Sequence, residues 1–162
     1  MHPNPYGKYI EGHDVLNSLE ETPRRIVSLV RGWPRDFDQR SHAPGKWTAR
    51  QVLAHLVHIE LVFSTRLRFA LADNGSRVQT MEQDDWMREE VPPPALVSLS
   101  AYESLRAMNV ALLRSLNAEQ RSRTAEHPEF GTIDVGWLAA WCAGHERNHL
   151  AQIEAVSEGP KA

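Results

Sequence analysis

Histidine occurs eight times in this 162-residue chain, and three of the eight occupy positions that helical periodicity turns inward. Near the C-terminus an apolar stripe runs Leu138, Cys142, His145, His149, Ile153 (or Gln152) and Val156 in steps of three or four. Earlier in the chain a second stripe passes Val52 and His55 before reaching Ile59. A buried imidazole costs free energy unless something satisfies it, and three converging rings exceed what helix backbones can satisfy. A divalent metal meets that demand. Residues four apart on a helix stand about 5–6 Å apart at Cβ, so His145 and His149 can both reach one ion at roughly 2.0–2.1 Å. His55, arriving from a facing helix, completes a three-histidine set that leaves further positions open to water or substrate, the pattern of a catalytic site. Imidazole-rich sites suit zinc, nickel, copper and iron alike. The ordinary alternative is a set of core histidines bonded to their neighbours, in a bundle that is metal-stabilised or partner-binding and not catalytic.

The stretch His145-Glu146-Arg147-Asn148-His149 also spells H-E-x-x-H, in which Glu146 would activate water as the general base of a zinc peptidase. Such enzymes take a third ligand from further downstream, and no histidine follows His149. Peptidase activity is therefore disfavoured. Glu146 stands about a quarter turn from His145. A di-iron site of the ferritin type needs two Glu-x-x-His units and only Glu146-x-x-His149 is present. No P-loop, G-x-G-x-x-G or serine nucleophile elbow occurs.

These residues need helices to hold them, and the periodicity predicts four. The first, roughly Glu11 to Arg31, carries Val15, Leu19, Thr22, Ile26, Leu29 and Val30 on one face. Pro23 lies within it and predicts a kink, or a fresh start with Thr22 as N-cap. The second begins at Ala49 behind a Thr48/Gln51 capping box and a Trp47/Val52 hydrophobic staple. It runs through Leu56, Ile59, Phe63, Leu67 and Leu71 to the Asp73-Asn74-Gly75 turn. About twenty aperiodic residues follow, ending in Pro92-Pro93-Pro94, a connection long enough to let the second and third helices run parallel. The third covers Ala95 to Leu116 with Leu99, Tyr102, Leu105, Met108 or Asn109, Leu112 and Leu116 inward. After the polar stretch Asn117 to Gly131, the last is capped by Thr132 or Asp134 and runs to about Ser157, before Gly159-Pro160. Strand-like alternation of useful length is absent. The predicted architecture is all-α, one four-helix bundle domain over residues 1–162.

Composition agrees with that class. Lys plus Arg number 18 against 21 Asp plus Glu, a net charge of -3 that provides no field for a nucleic-acid backbone. The longest apolar run, Trp137 to Ala143, falls far short of the roughly 18 residues of a membrane span. No secretory leader precedes the first helix, and the one cysteine, Cys142, forms no internal disulfide, so the expected location is the cytoplasm. Cys142 shares the face of His145 and could offer a soft ligand or a thiol near the site, although a small buried apolar group is the preferred reading. Trp47, Trp137 and Trp141 read as packing residues. Trp86 differs, because ordered long loops often cover sites. Arg66 and Arg68 could attract an acidic thiol cofactor, although a solvated helix face is the favoured reading, and His2, His13, His42 and His127 receive no role.

Taken together, the segments GKWTARQVLAHL (Gly45 to Leu56) and GHERNHLAQI (Gly144 to Ile153) resemble the DinB/YfiT-like superfamily of metal-dependent enzymes, over nearly the whole chain. The resemblance implies an up-down-down-up bundle with nickel or zinc held by His55, His145 and His149. Relatives include bacillithiol-using S-transferases and mycothiol-using isomerases. The implied activity is therefore that of a metal-dependent hydrolase or a thiol transferase acting on a small molecule, with a low-molecular-weight thiol as a candidate cofactor. A homodimer is implied as well. Many relatives carry aspartate three residues after the first metal histidine, where this chain has His58. Standing about 60° around the helix from His55, His58 has three candidate roles there: lining the pocket, shuttling a proton, or serving as a fourth ligand. The plainer alternative for it is a partly exposed surface residue.

Overall fold

The computed structural model describes residues 2–158, and the Gly159-Pro160 stop lies outside them. Helix α1 spans Val15–Arg31, started by Asp14, whose carboxylate accepts from the Asn17 amide at 2.8 Å. The fresh start at Thr22 does not occur: Pro23 sits within the continuous helix, and another group satisfies the carbonyl it leaves unbonded. Helix α2 spans Ala49–Ala72, with the Thr48/Gln51 capping box formed in both directions.

Strand β1 (Ser76–Arg77) follows the Asn74-Gly75 turn, in which Gly75 takes a φ of 87°. The short helix α3 (Gln83–Glu89) then occupies the connection that the sequence leaves aperiodic. Helix α4 spans Ala95–Ser115, and the four-residue α5 covers Ala118–Arg121. Strands β2 (Thr124–His127) and β3 (Gly131–Asp134) form a hairpin, and helix α6 spans Val135–Glu158. Asp134 is its cap, accepting from the Trp137 amide at 2.6 Å, while Thr132 lies in β3.

The small sheet corrects the expectation of no strands. Strand β1 pairs parallel to β2, and β2 antiparallel to β3, with Ala125 opposite Ile133. Such short strands have too few residues to register as alternation. Ala125 and Ile133 are fully buried against the bundle, which is where their stability comes from.

Helices α1 and α2 each pack against both α4 and α6. Arg25 pairs with Glu154 and the Trp33 indole with Ser157, so the C-terminal ends of α1 and α6 lie together and the two run parallel. Arg50 donates to the carbonyls of Pro92 and Pro93, which joins the starts of α2 and α4, and Arg68 reaches Asn109 further along. These two are also parallel, as the long crossover predicts. Against α6, α2 runs antiparallel, with His55 opposite His145 and Glu60 opposite Cys142. The topology is a four-helix bundle of up-down-down-up order.

On helix α4 the predicted stripe is buried at Leu99, Tyr102 and Asn109, whereas Leu105 and Leu112 are only partly buried. Arg106 and Asn109 are buried and Met108 is 58% exposed. The arginine can be buried because Glu60 and Glu146, both also buried, receive it. Among the described residues no helix is long and apolar enough to cross a membrane.

Candidate metal centre

Periodicity carries His55, His145 and His149 to one point. All three are buried, and their candidate donor nitrogens lie within 4.8 Å of one another. The Nε2 of His145 stands 3.2 Å from that of His55 and 3.2 Å from that of His149. Two nitrogens bound to one ion at roughly 2.0–2.1 Å and a tetrahedral angle stand about 3.3 Å apart. The spacing therefore matches a shared cation.

Electrostatics favour the neutral rings that ligation requires. Burial, followed by the nearness of His149 and His58, pushes His55 down to about 3. Burial pushes His149 down to about 4, although a hydrogen bond to Gln152 works in the opposite direction. His145 is held well below the usual imidazole range by burial, then by the other two histidines and Arg106. The His149 Nδ1–H donates to Gln152 Oε1 at 2.9 Å, which directs its Nε2 lone pair at the cluster. A single proton can satisfy only one of the two contacts at His145 Nε2, and the Nδ1 atoms of His55 and His145 have no partner. A cation receives all three lone pairs at once. The donor set thus fits a divalent metal.

Aromatic rings hold the imidazoles in place. Trp141 stacks on His145 at 4.9 Å and 10°, and Tyr6 meets the same ring edge-on at 4.9 Å. Trp47, expected only to staple the start of α2, lies 5.1 Å from His55. Tyr6 belongs to the N-terminal segment, which is strapped to α6 by Trp137 Nε1 donating to His2 O and Arg147 Nε donating to Tyr9 O. It crosses α6 at Gly144, where an added Cβ would come within 2.5 Å of the Tyr6 carbonyl. The absence of a side chain at Gly144 lets Tyr6 reach His145.

The remaining candidates separate. His58 is buried, contrary to the partly exposed alternative. Its Nε2 lies 2.7 Å from Glu90 Oε2, its Nδ1 has no partner, and Trp86 from α3 packs edge-on at 5.3 Å. Glu146 faces Arg106 at 2.7 Å and is not among the atoms that converge with the three histidines. Two carboxyls, Glu60 and Glu146, share the Arg106 guanidinium. Burial, then the neighbouring Glu60 charge, pushes Glu146 well above the usual carboxylate range. Cys142 is fully buried between Glu60 and Arg106, and burial pushes its thiol up, so it behaves as an inert core group.

Two cavities adjoin the cluster. One, of about 240 Å³, includes His145, Trp141, Tyr6, Arg66, His127 and Phe130 in its lining. The other, of about 430 Å³, includes His149, Trp47, His42, Lys46, Asn148 and Gln152. His127 and His42 receive no role from sequence, and Arg66 reads there chiefly as part of a solvated helix face. The signal for Arg66 was available: with His55, Ile59 and Val62 it continues one stripe in steps of four, three and four.

A family model for the DinB superfamily matches residues 18–153. The chain belongs to the DinB superfamily. Among its DinB relatives, a protein of Oceanobacillus iheyensis named "Putative metal-dependent hydrolase OB0782" is 30% identical over 145 residues, covering 89% of this chain and 84% of that one. A relative of the same general name in Bacillus cereus (strain 03BB102) is 29% identical over 148 residues, covering 87% and 82%. In three dimensions this DinB chain is similar to YfiT from Bacillus subtilis, a four-helix bundle of unusual topology. The TM-score is 0.80 at 23% identity, covering 89% of this chain and 84% of YfiT. It is also similar to a mycothiol-dependent maleylpyruvate isomerase, with a TM-score of 0.69 at 12% identity, covering 86% and 59%. At those identities the two solved structures speak for the DinB fold alone.

Proposed function

We propose that this chain is a metal-dependent hydrolase of a small molecule, its 162 residues forming one catalytic domain, with His55, His145 and His149 holding a zinc or nickel ion. The observation that carries the reading is the convergence of three neutral imidazoles, with His145 Nε2 standing 3.2 Å from the Nε2 of each of the other two. A divalent cation held there supplies Lewis acidity at neutral pH, for polarising a carbonyl or acidifying a water. Trp141, Tyr6 and Trp47 exclude solvent and fix the rings. Glu90 fixes one nitrogen of His58 and leaves Nδ1 free to take and return a proton, the general-base role.

Glu146, the expected base of the peptidase alternative, works instead as a positioning residue with Glu60, holding Arg106 against the core. A second reading, thiol transfer, is favoured by the two cavities on His145 and His149, which share Tyr6 and Gln83 and offer separate places for a low-molecular-weight thiol and an electrophile. Exposed Leu61, Phe69, Leu96, Val97 and Met108 on the adjacent α2 and α4 supply apolar surface for a homodimer.

Elemental analysis after dialysis against zinc or nickel tests the metal reading, with about one ion per chain expected. His149→Ala abolishes stoichiometric binding and His13→Ala preserves it. Absence of bound metal in the unaltered protein overturns the reading. An ester and amide screen, run with and without added thiols, separates hydrolysis from transfer. Turnover is expected to vanish with chelator and return on remetallation.

A further inference from the structure

Two residues that line the 240 Å³ cavity beside His145 carry buried hydrogen-bond donors that the protein leaves unmatched. Arg66 Nε is buried with no partner, and the guanidinium has no carboxylate within ion-pairing distance among the described residues. Its Nη2 donates to the carbonyl of Gln79. Burial lowers the Arg66 pKa, and the exposed Glu129 at the cavity compensates only in part. The second donor is Trp141 Nε1, also buried without an acceptor, on the indole that stacks against His145. Arg66 lies three turns beyond His55 on the same stripe of α2, and helical side chains lean toward the N-terminus, so it leans back toward the cluster.

An unmatched buried donor is costly, and a cationic one more so. An acceptor with two oxygens and a negative charge is the chemistry that such a pair of donors calls for. Ile59, Val62, Met81 and Phe130 give the cavity apolar walls, and Gln83, His127 and the exposed carboxylate of Glu129 also line it. We infer that this cavity is a carboxylate-binding pocket, in which Arg66 and Trp141 anchor the acid group of a small, partly apolar substrate whose reacting end lies toward His145. The assignment rests on the proposed metal-centred hydrolase for its catalytic meaning, but the two anchoring residues, Arg66 and Trp141, are not metal ligands.

That separation permits a test independent of metal. Benzoate, its neutral isostere benzamide, and inorganic phosphate are titrated into the full chain, metal-loaded and chelator-stripped, with calorimetry and tryptophan fluorescence as readouts. The stripped protein is expected to bind benzoate about tenfold or more tighter than benzamide, the range of a charge-assisted hydrogen bond. Arg66→Gln removes that preference while leaving benzamide binding unchanged, Arg66→Lys restores part of it, and Trp141→Phe, which keeps an aromatic ring, weakens benzoate several-fold. Equal binding of benzoate and benzamide, no binding of benzoate, or benzoate affinity unaltered in a folded Arg66→Gln variant overturns the pocket. Phosphate binding tighter than benzoate overturns the carboxylate assignment. Metal stoichiometry is measured on the same samples, so failure of the metal reading is seen separately.

Discussion

The backbone carbonyl of Leu19 accepts a hydrogen bond from Arg106 Nη1 at 3.0 Å. In an uninterrupted helix that carbonyl would serve the amide four residues on, but position 23 is proline and has no N–H. The proline inside α1 is thus matched to an arginine inside the bundle. Arg106 then spends its other donors on Glu60 and Glu146, and Asn109 completes Glu60 through its Oε2 at 2.9 Å.

Removing Arg106 leaves Glu60 buried and without its charge partner. Arg106→Leu is expected to destabilise the fold by about 3–5 kcal/mol, measured by urea unfolding. Arg106→Leu combined with Glu60→Leu is expected to recover part of that loss. A double variant no more stable than the sum of the two single losses would show that the two side chains do not act as a pair.

Acidification acts through the histidine cluster. His55 and His149 have folded-state pKa values near 3 and 4, below the usual value of 6.5 that the unfolded chain retains. Below pH 6.5 the unfolded state therefore binds protons that the folded state refuses. The stability these rings contribute is complete above that pH, falls as pH drops through the window, and is gone below about 3. Metal-free protein followed by thermal melting from pH 7.5 to 4.5 should lose several kcal/mol, order of magnitude. A flat profile would contradict the neutral buried cluster.

Glu146 titrates with the opposite sign. Its raised pKa gives stability that is present below the ordinary carboxylate range and lost as pH rises toward the folded value. Glu146→Gln mimics the protonated acid, so we expect stability to be retained within about 1 kcal/mol at neutral pH and acid sensitivity to steepen. If hydrolysis is found, the same variant should keep turnover within several-fold, whereas His58→Gln should lose it. A Glu146→Gln enzyme that is folded and inactive would restore the peptidase-like role.

Gly144→Ala tests the N-terminal strap. The added methyl meets the Tyr6 carbonyl at 2.5 Å and its Cβ at 2.8 Å, so the segment must shift. Overpacking of this kind costs about 1–3 kcal/mol. Limited proteolysis should cut the variant within residues 2–13 sooner than the unaltered chain, with metal affinity reduced as the Tyr6 contact to His145 loosens. Unchanged protection of that segment would mean that the backbone absorbs the methyl elsewhere.

The amino-acid sequence by itself determined the four long helices and the stripe that turns His55, His145 and His149 inward, because caps and apolar periodicity are local properties. The Thr48/Gln51 box and the Leu138-to-Val156 spacing needed no partner to be read. Only the tertiary structure decided which polar residues the core accepts. Arg106 and Glu60 carry no signal in the sequence and Glu146 reads only as a candidate base, until helices α1, α2, α4 and α6 bring the charges and the Leu19 carbonyl together. The β strands likewise owe their stability to packing on the bundle. Arg66 and Trp141 became a candidate anchor only when one cavity enclosed both. A buried charge is favourable or ruinous according to what lies across from it, and that is set by packing between elements distant in the chain.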